Sequence, residues 1–358
     1  MINDFKKPIE ERVELFKHYY KRANTRPLLG FFRGSEYPLH RYEAAKSLAE
    51  NRPLAPDDFP IGLYLNDCYR LFAEHEECGG DFIWSATPFW GIPWLEAALG
   101  CPIFADHSSG SIHSVPPANF VGPDSLPKFD LKNPWVEKLV EFLAKMVERS
   151  HGRWPLATTR MRGISDLLSA LYGGTEIVFA MLEQQDEISA VCEKLTDFWI
   201  EYGKVQLEHI PLFHGGVGSF YYYLWAPEGT VWHQEDAAAL LSPKLYRQFI
   251  EPCDRRITET FSSSIMHQHS TGYVPLDAYL SMNFSALELH IDEGGPSAEE
   301  LYDTHRKILA QKPLIIWGDI PEQDLDWIFQ KLPAEGLAVI TVVESAAHAQ
   351  KIWARYLA

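Results

Sequence analysis

The last third of the chain repeats one unit: a short apolar run with a polar ending, followed by an amphipathic helical stretch. The apolar runs lie at residues 264–269, 286–290, 313–317 and 337–344, and helical patterns begin at Ser297, near Pro321 and at Ser345. Short continuous apolar runs read as strands buried on both faces, and strands alternating with helices pack as a parallel sheet. The alternation extends upstream. Trp135, Val136, Leu139, Val140, Leu143, Met146 and Val147 mark a helix, residues 155–161 a strand, 173–207 a helix in two pieces, and 242–261 another helix opened by Ser242 and Pro243. Ser297 and Glu300 form a capping box.

Near the amino terminus, Val13, Phe16, Tyr19 and Tyr20 mark a helix, and residues 26–33 a first strand. Residues 37–130 are irregular and rich in Pro, Gly and aromatic residues, with one strand at 80–84; they are expected to cover the barrel. The number of strands favours closure, so the expected fold is α/β, a single (β/α)8 TIM-type barrel with an elaborated N-terminal region. It spans 1–358 as one domain, with 1–130 supplying the first helix, first strands and covering loops and 131–358 the regular units. A length of 358 residues suits one such barrel, and 46% hydrophobic residues supply its core. No Gly-x-Gly-x-x-Gly turn follows the first strand, which removes the best support for a dinucleotide fold.

A formal net charge of −17 argues against a nucleic-acid partner. The five cysteines, Cys68, Cys78, Cys101, Cys192 and Cys253, contain no C-x-x-C pair, so reduced structural thiols are expected. No apolar run reaches membrane-spanning length, and the first residues, Met1 to Lys7, lead into a charged amphipathic stretch; a cytoplasmic protein is expected.

In a parallel barrel the chemistry gathers where strands end. His267 and His269, two apart at the end of one strand, project from the same side and can ligate one metal ion. Glu344 ends the last strand and is the candidate third ligand. Two histidines, a carboxylate and an open position suit catalytic zinc and also non-haem iron; the alternative is a pair of hydrogen-bonded core histidines with Glu344 at the start of the last helix. Glu288, His290 and Asp292 share a face at the rim of another strand, as substrate or outer-sphere residues or as a solvated strand end. Arg33, Arg160 and Arg162 end strands and can clamp a carboxylate or phosphate, or pair with surface acids. The aromatic run 220–225, with Tyr222, and the stretch Trp232, His233, Gln234, Glu235, Asp236 can wall a pocket, although aromatics at strand spacing are more often core.

At residues 267–272, the following strand and the Gly318–Asp319 ending, the chain resembles the uroporphyrinogen decarboxylase superfamily, which includes corrinoid-dependent methyltransferases. The likeness extends to residues 26–37, 155–171 and 241–252, and so over most of the chain. Where the decarboxylases carry Arg-Gln-Ala-Gly-Arg-Tyr, this chain has Arg33-Gly34-Ser35-Glu36-Tyr37, keeping the first arginine and the tyrosine. The methyltransferase branch is similar in placing a His-x-Cys pair and a later Cys on zinc; His267-x-His269 and Glu344 stand at those places. The resemblance implies a zinc-dependent methyltransferase moving a methyl group between a small methylated substrate and a corrinoid (cobalamin) carried by a partner protein. His267, His269 and Glu344 are then the metal ligands, and Glu288, His290 and Asp236 the catalytic proton carriers. Arg33, Arg160, Arg162, Tyr222, Trp232, Gln234, Trp317 and Asp319 are the substrate-binding residues. The alternatives are a metal-free decarboxylase or related lyase, with the three arginines gripping carboxylates, and a non-catalytic corrinoid or small-molecule binding protein.

Overall fold

The computed structural model describes residues 5–220 and 222–357; residues 1–4 of the charged amino-terminal stretch and Tyr221 of the aromatic run lie outside them. Among the described residues the strands are β1 (Leu28–Arg33), β2 (Ile103–Asp106), β3 (Ser111–Ser114), β4 (Gly216–Gly218), β5 (Trp225–Pro227), β6 (Thr230–Gln234), β7 (Ser263–His267), β8 (Ala286–His290), β9 (Leu314–Gly318) and β10 (Leu337–Val343). Six of them form a parallel sheet in the order β1-β10-β9-β8-β7-β6. Residues of β7 and β9 are buried throughout, as expected of strands covered on both faces.

The expected strands at 80–84 and 155–161 are extended but irregular, lying between β1 and β6. Asp81 N–H donates to Leu29 O at 2.9 Å, Ala86 bridges Leu156 in parallel, and Arg162 bridges Gln234 in parallel. Side chains replace ladder bonds here. The Thr159 amide donates to Gln206 Oε1 at 2.7 Å, and the Thr87 and Ser85 hydroxyls donate to Thr158 O and Ser219 O. Pro155 and Pro88 carry no N–H to extend a ladder, and Gly79 and Gly80 have φ of 64° and 92°, outside strand geometry. Among the described residues, then, the regular parallel strands number six rather than the eight of the expected barrel.

The helix expected over 242–261 is three pieces. Ser242 Oγ accepts from Leu245 N, and a π-helical turn at Tyr246–Ile250 precedes the helix Glu251–Thr260. Pro252 cannot donate to Gln248, which accounts for the local widening of the helix. The capping box forms: Ser297 N donates to Glu300 Oε2 at 2.8 Å and Glu300 N to Ser297 Oγ at 3.3 Å. All five cysteines are buried free thiols. No described helix is long and apolar enough to cross a membrane. The irregular region contributes helix Ile61–Cys78 and the antiparallel hairpin β2–β3. Its residues Tyr37, Trp90, Gly91, Ser111 and Ile112 line a 550 Å³ cavity together with the strand-end histidines.

Candidate active site

β7 delivers His267 at its last position, and His269 follows in an isolated parallel bridge with His290 of β8. Strand alternation turns both imidazoles to one side. Their Nε2 atoms lie 3.2 Å apart, and Asp236 Oδ1, just beyond β6, stands 3.9 Å from one and 4.0 Å from the other. These three ligand atoms lie within 4.8 Å of one another.

The other ring nitrogens face carboxylates. His267 Nδ1 makes a short contact with Glu288 Oε2, a side chain without solvent exposure, and Tyr222 Oη lies 2.9 Å from that same nitrogen and donates to Glu288 at 3.0 Å. His269 Nδ1 contacts Asp292 Oδ1 at 2.5 Å, while Asp292 Oδ2 accepts from the Ser270 and Thr271 hydroxyls and the Thr271 amide. A carboxylate beside Nδ1 places the ring proton there and leaves Nε2 as the lone pair. Two lone pairs aimed at each other, with a carboxylate oxygen beside them, repel unless a cation stands between them, so the donor set fits a divalent ion with an open position.

Without such an ion, protons take its place. Burial lowers the His269 pKa, but the Asp292 hydrogen bond and the Asp236 charge outweigh it and push it up to about 9. His267 is raised in the same way, Glu288 outweighing burial. Asp292, despite burial, is held well below the usual carboxylate range by His269. His290 differs: burial lowers its pKa, Glu288 opposes that, and its two histidine neighbours reinforce it, so the net shift is downward. Its Nδ1 has no hydrogen-bond partner, and its ring centroid lies 5.2 Å from that of His269 on the cavity wall.

The remaining candidates divide. Trp232 lines the cavity and stacks on His267 at 5.5 Å; Arg160 and Gln234 line it too, but Gln234 is engaged with Asp166 and Asp236 at 3.0 and 2.6 Å and so positions the latter. Tyr222 and Trp317 are buried, the first behind His267 and the second against His290 and Phe32, at 5.7 and 5.0 Å. Arg33 pairs with Glu77, and Arg162 with Glu96 and Asp166. Asp319 is exposed in a separate 280 Å³ groove with His348, Lys351 and Arg355. Glu344 is exposed beyond β10, its backbone amide directed at His348. The carboxylate standing with the two imidazoles is therefore Asp236 and not Glu344, because the chain beyond β6 reaches the mouth beside β7 whereas Glu344 faces solvent.

A group of the same residue types lies behind β6, where the sequence offers His233 and Glu235 only as pocket wall and does not join them to Asp254. His233 Nε2 is 3.3 Å from both Glu235 Oε1 and Asp254 Oδ1, and all three side chains are buried. Glu235 also accepts the Ile164 and Ser165 amides at the start of helix Ile164–Tyr172, and Asp254 accepts the Tyr246 hydroxyl. The alternation of His233 and Glu235 against Gln234 and Asp236 is the signal that separates the two groups.

Compared with known protein families and with curated proteins, the sequence matches none. Among solved structures the chain is similar to a methyltransferase from Methanosarcina mazei, with a TM-score of 0.65 and 13% identity, covering 97% of this chain and 98% of that one. At that identity the likeness is one of fold.

Proposed function

We propose that the protein is a zinc-dependent methyltransferase of the uroporphyrinogen decarboxylase type, moving a methyl group between a small methylated substrate and the cobalt of a corrinoid protein docked over the mouth. On this reading the six regular strands and the segments 81–87 and 155–162 together make one (β/α)8-type barrel. The observation that carries the proposal is the pair of Nε2 atoms facing each other beside Asp236, each imidazole backed by its own carboxylate. The structural likeness to a methyltransferase over nearly the whole of both chains supports the same reading.

His267, His269 and Asp236 hold the zinc, which when bound polarises a substrate heteroatom so that it accepts or releases a methyl group more readily. Glu288 and Asp292 fix the ring orientation and tautomer of the two histidines. His290, on the cavity wall beside His269, holds or moves the proton of the heteroatom. Trp232, stacked on His267, screens one side of the centre from water. The lyase alternative needs several arginines for substrate, yet Arg33 and Arg162 already face protein carboxylates.

The test is elemental analysis of the purified protein and of His267→Ala and His269→Ala. The parent is expected to carry about one zinc per chain, each variant to lose it, and the parent alone to consume methylcobalamin, followed optically, when a simple thiol is supplied. Unchanged metal content in both variants removes the site.

A further inference from the structure

We infer that the substrate bears a carboxylate and that Arg160 receives it. The inference rests on the mouth being the site of chemistry and adds the class of molecule that enters it. Arg33, Arg160 and Arg162 all end extended segments, but among the described residues only the first and last have carboxylate partners. Among the described residues no carboxylate lies within salt-bridge distance of Arg160, and its buried Nε has no hydrogen-bond partner. The same side chain lines the cavity that holds His267, His269 and Asp236.

A guanidinium whose Nε is buried without a partner is a costly feature. Burial and the like charge of Arg162 both lower its pKa, opposed at longer range by Glu96, Asp236 and Asp166. Its position is explained if a ligand brings the missing anion. The planar fork of a guanidinium matches a planar carboxylate. Glu36, Asp236, Asp292 and Glu293 line the same cavity, so a phosphate dianion meets more repulsion there than a monoanion does. Trp90, Phe220 and Trp232 supply apolar surface for a short carbon chain. The substrate is thus a small molecule with a carboxylate at one end and the methyl-bearing or methyl-accepting heteroatom at the other.

The experiment is calorimetric titration of the full chain with 3-(methylthio)propionate and, separately, with its uncharged amide. Charge-assisted hydrogen bonding predicts that the acid binds about tenfold or more tightly than the amide. Arg160→Gln is expected to abolish that preference and Arg160→Lys to keep part of it. The comparison is repeated on metal-stripped protein, where overall affinity falls but the preference and its dependence on Arg160 persist. That arm separates the two readings: a protein that never held metal yet shows the preference retains the anion subsite and loses the zinc centre. Equal binding of acid and amide to the parent overturns the inference, as does a preference that survives in Arg160→Gln or an acid that fails to bind at millimolar concentration. The acid-versus-amide comparison on the parent needs no variant, so misfolding of a variant does not protect the idea.

Discussion

Two clusters of one histidine chemistry lie on either side of β6, and they are built for opposite purposes. In the open one, His267 and His269 turn their Nε2 atoms toward each other and toward Asp236, on the wall of a 550 Å³ cavity. In the sealed one, His233 points a single Nε2 at Glu235 and Asp254, and nothing of the three side chains reaches solvent. The open cluster places acceptors against acceptors and so invites a cation. The sealed cluster places one imidazole between two carboxylates, where a proton on the ring already supplies the positive charge. Burial lowers the His233 pKa, but Asp254 and Glu235 outweigh it and push it up to about 9. What separates a ligand site from a structural ion pair is thus the direction of the lone pairs and access to solvent; the residue types are shared.

Removing the histidine from each cluster should separate the two most clearly. His233→Ala leaves two buried carboxylates without their counter-charge, a loss of about 3–5 kcal/mol by analogy with other broken buried pairs. Urea unfolding of His233→Ala is expected to show that loss while the folded fraction keeps its metal. A variant within about 1 kcal/mol of the parent means that the sealed cluster is not an ion pair. His269→Ala should differ in kind: it loses the metal, and its metal-stripped form also loses the pairing with Asp292, but this pair is partly exposed, so the stripped variant is expected to fall less far below the stripped parent than His233→Ala falls below its own.

A smaller effect is expected one layer out. Glu288→Gln keeps the shape beside His267 Nδ1 and removes the charge, and outer-sphere carboxylates of this kind are worth about ten- to a hundredfold in metal affinity. Competition with a chelating indicator measures it. An affinity equal to that of the parent assigns Glu288 to packing alone.

The two clusters also separate by pH. Because His269 titrates near 9 without metal, it is protonated at pH 7, and zinc loading there must release protons. Calorimetry in buffers of different ionisation enthalpy counts them; zero release contradicts the assignment. In the loaded protein the His233 contribution remains. A pKa raised to about 9 gives stability that is complete below the unfolded value, about 6.5, and lost as pH rises through 9. Thermal melts of the loaded protein between those limits should decline with pH, and a flat profile would falsify the imidazolium assignment.

The sequence displays β7 to β10 openly, because each is an apolar run ending in a polar residue, and from there His267, His269, Glu288, His290 and Asp292 follow by alternation. β6 is not visible in that way. It carries His233 and Gln234 and runs into Glu235, all buried, and their partners Asp254 and Asp166 lie elsewhere in the chain, so no local apolar pattern marks a strand. With β6 hidden, Asp236 is legible as a pocket residue and candidate proton carrier, but its place beside the two imidazoles is lost. The segments at 81–87 and 155–162 are hidden for a related reason, since side chains such as Gln206 satisfy backbone groups that a strand would pair.

Glu344 shows the limit of reasoning from strand endings, and it carries the smallest expected effect. The rule that polar residues ending parallel strands face the cavity holds for His267, but Glu344 lies beyond the last residue of β10, exposed, and directly before the Ser345 cap of helix Ala346–Tyr356. A carboxylate there interacts favourably with the helix amino end, worth about 0.3–1 kcal/mol at an exposed position. Glu344→Ala is therefore expected to retain full metal content and proton release while melting slightly lower, with Asp236→Ala losing the metal. Elemental analysis of the two variants side by side decides between the carboxylates: metal lost from Glu344→Ala and kept by Asp236→Ala would return the third ligand to the last strand and dismantle the open cluster described above.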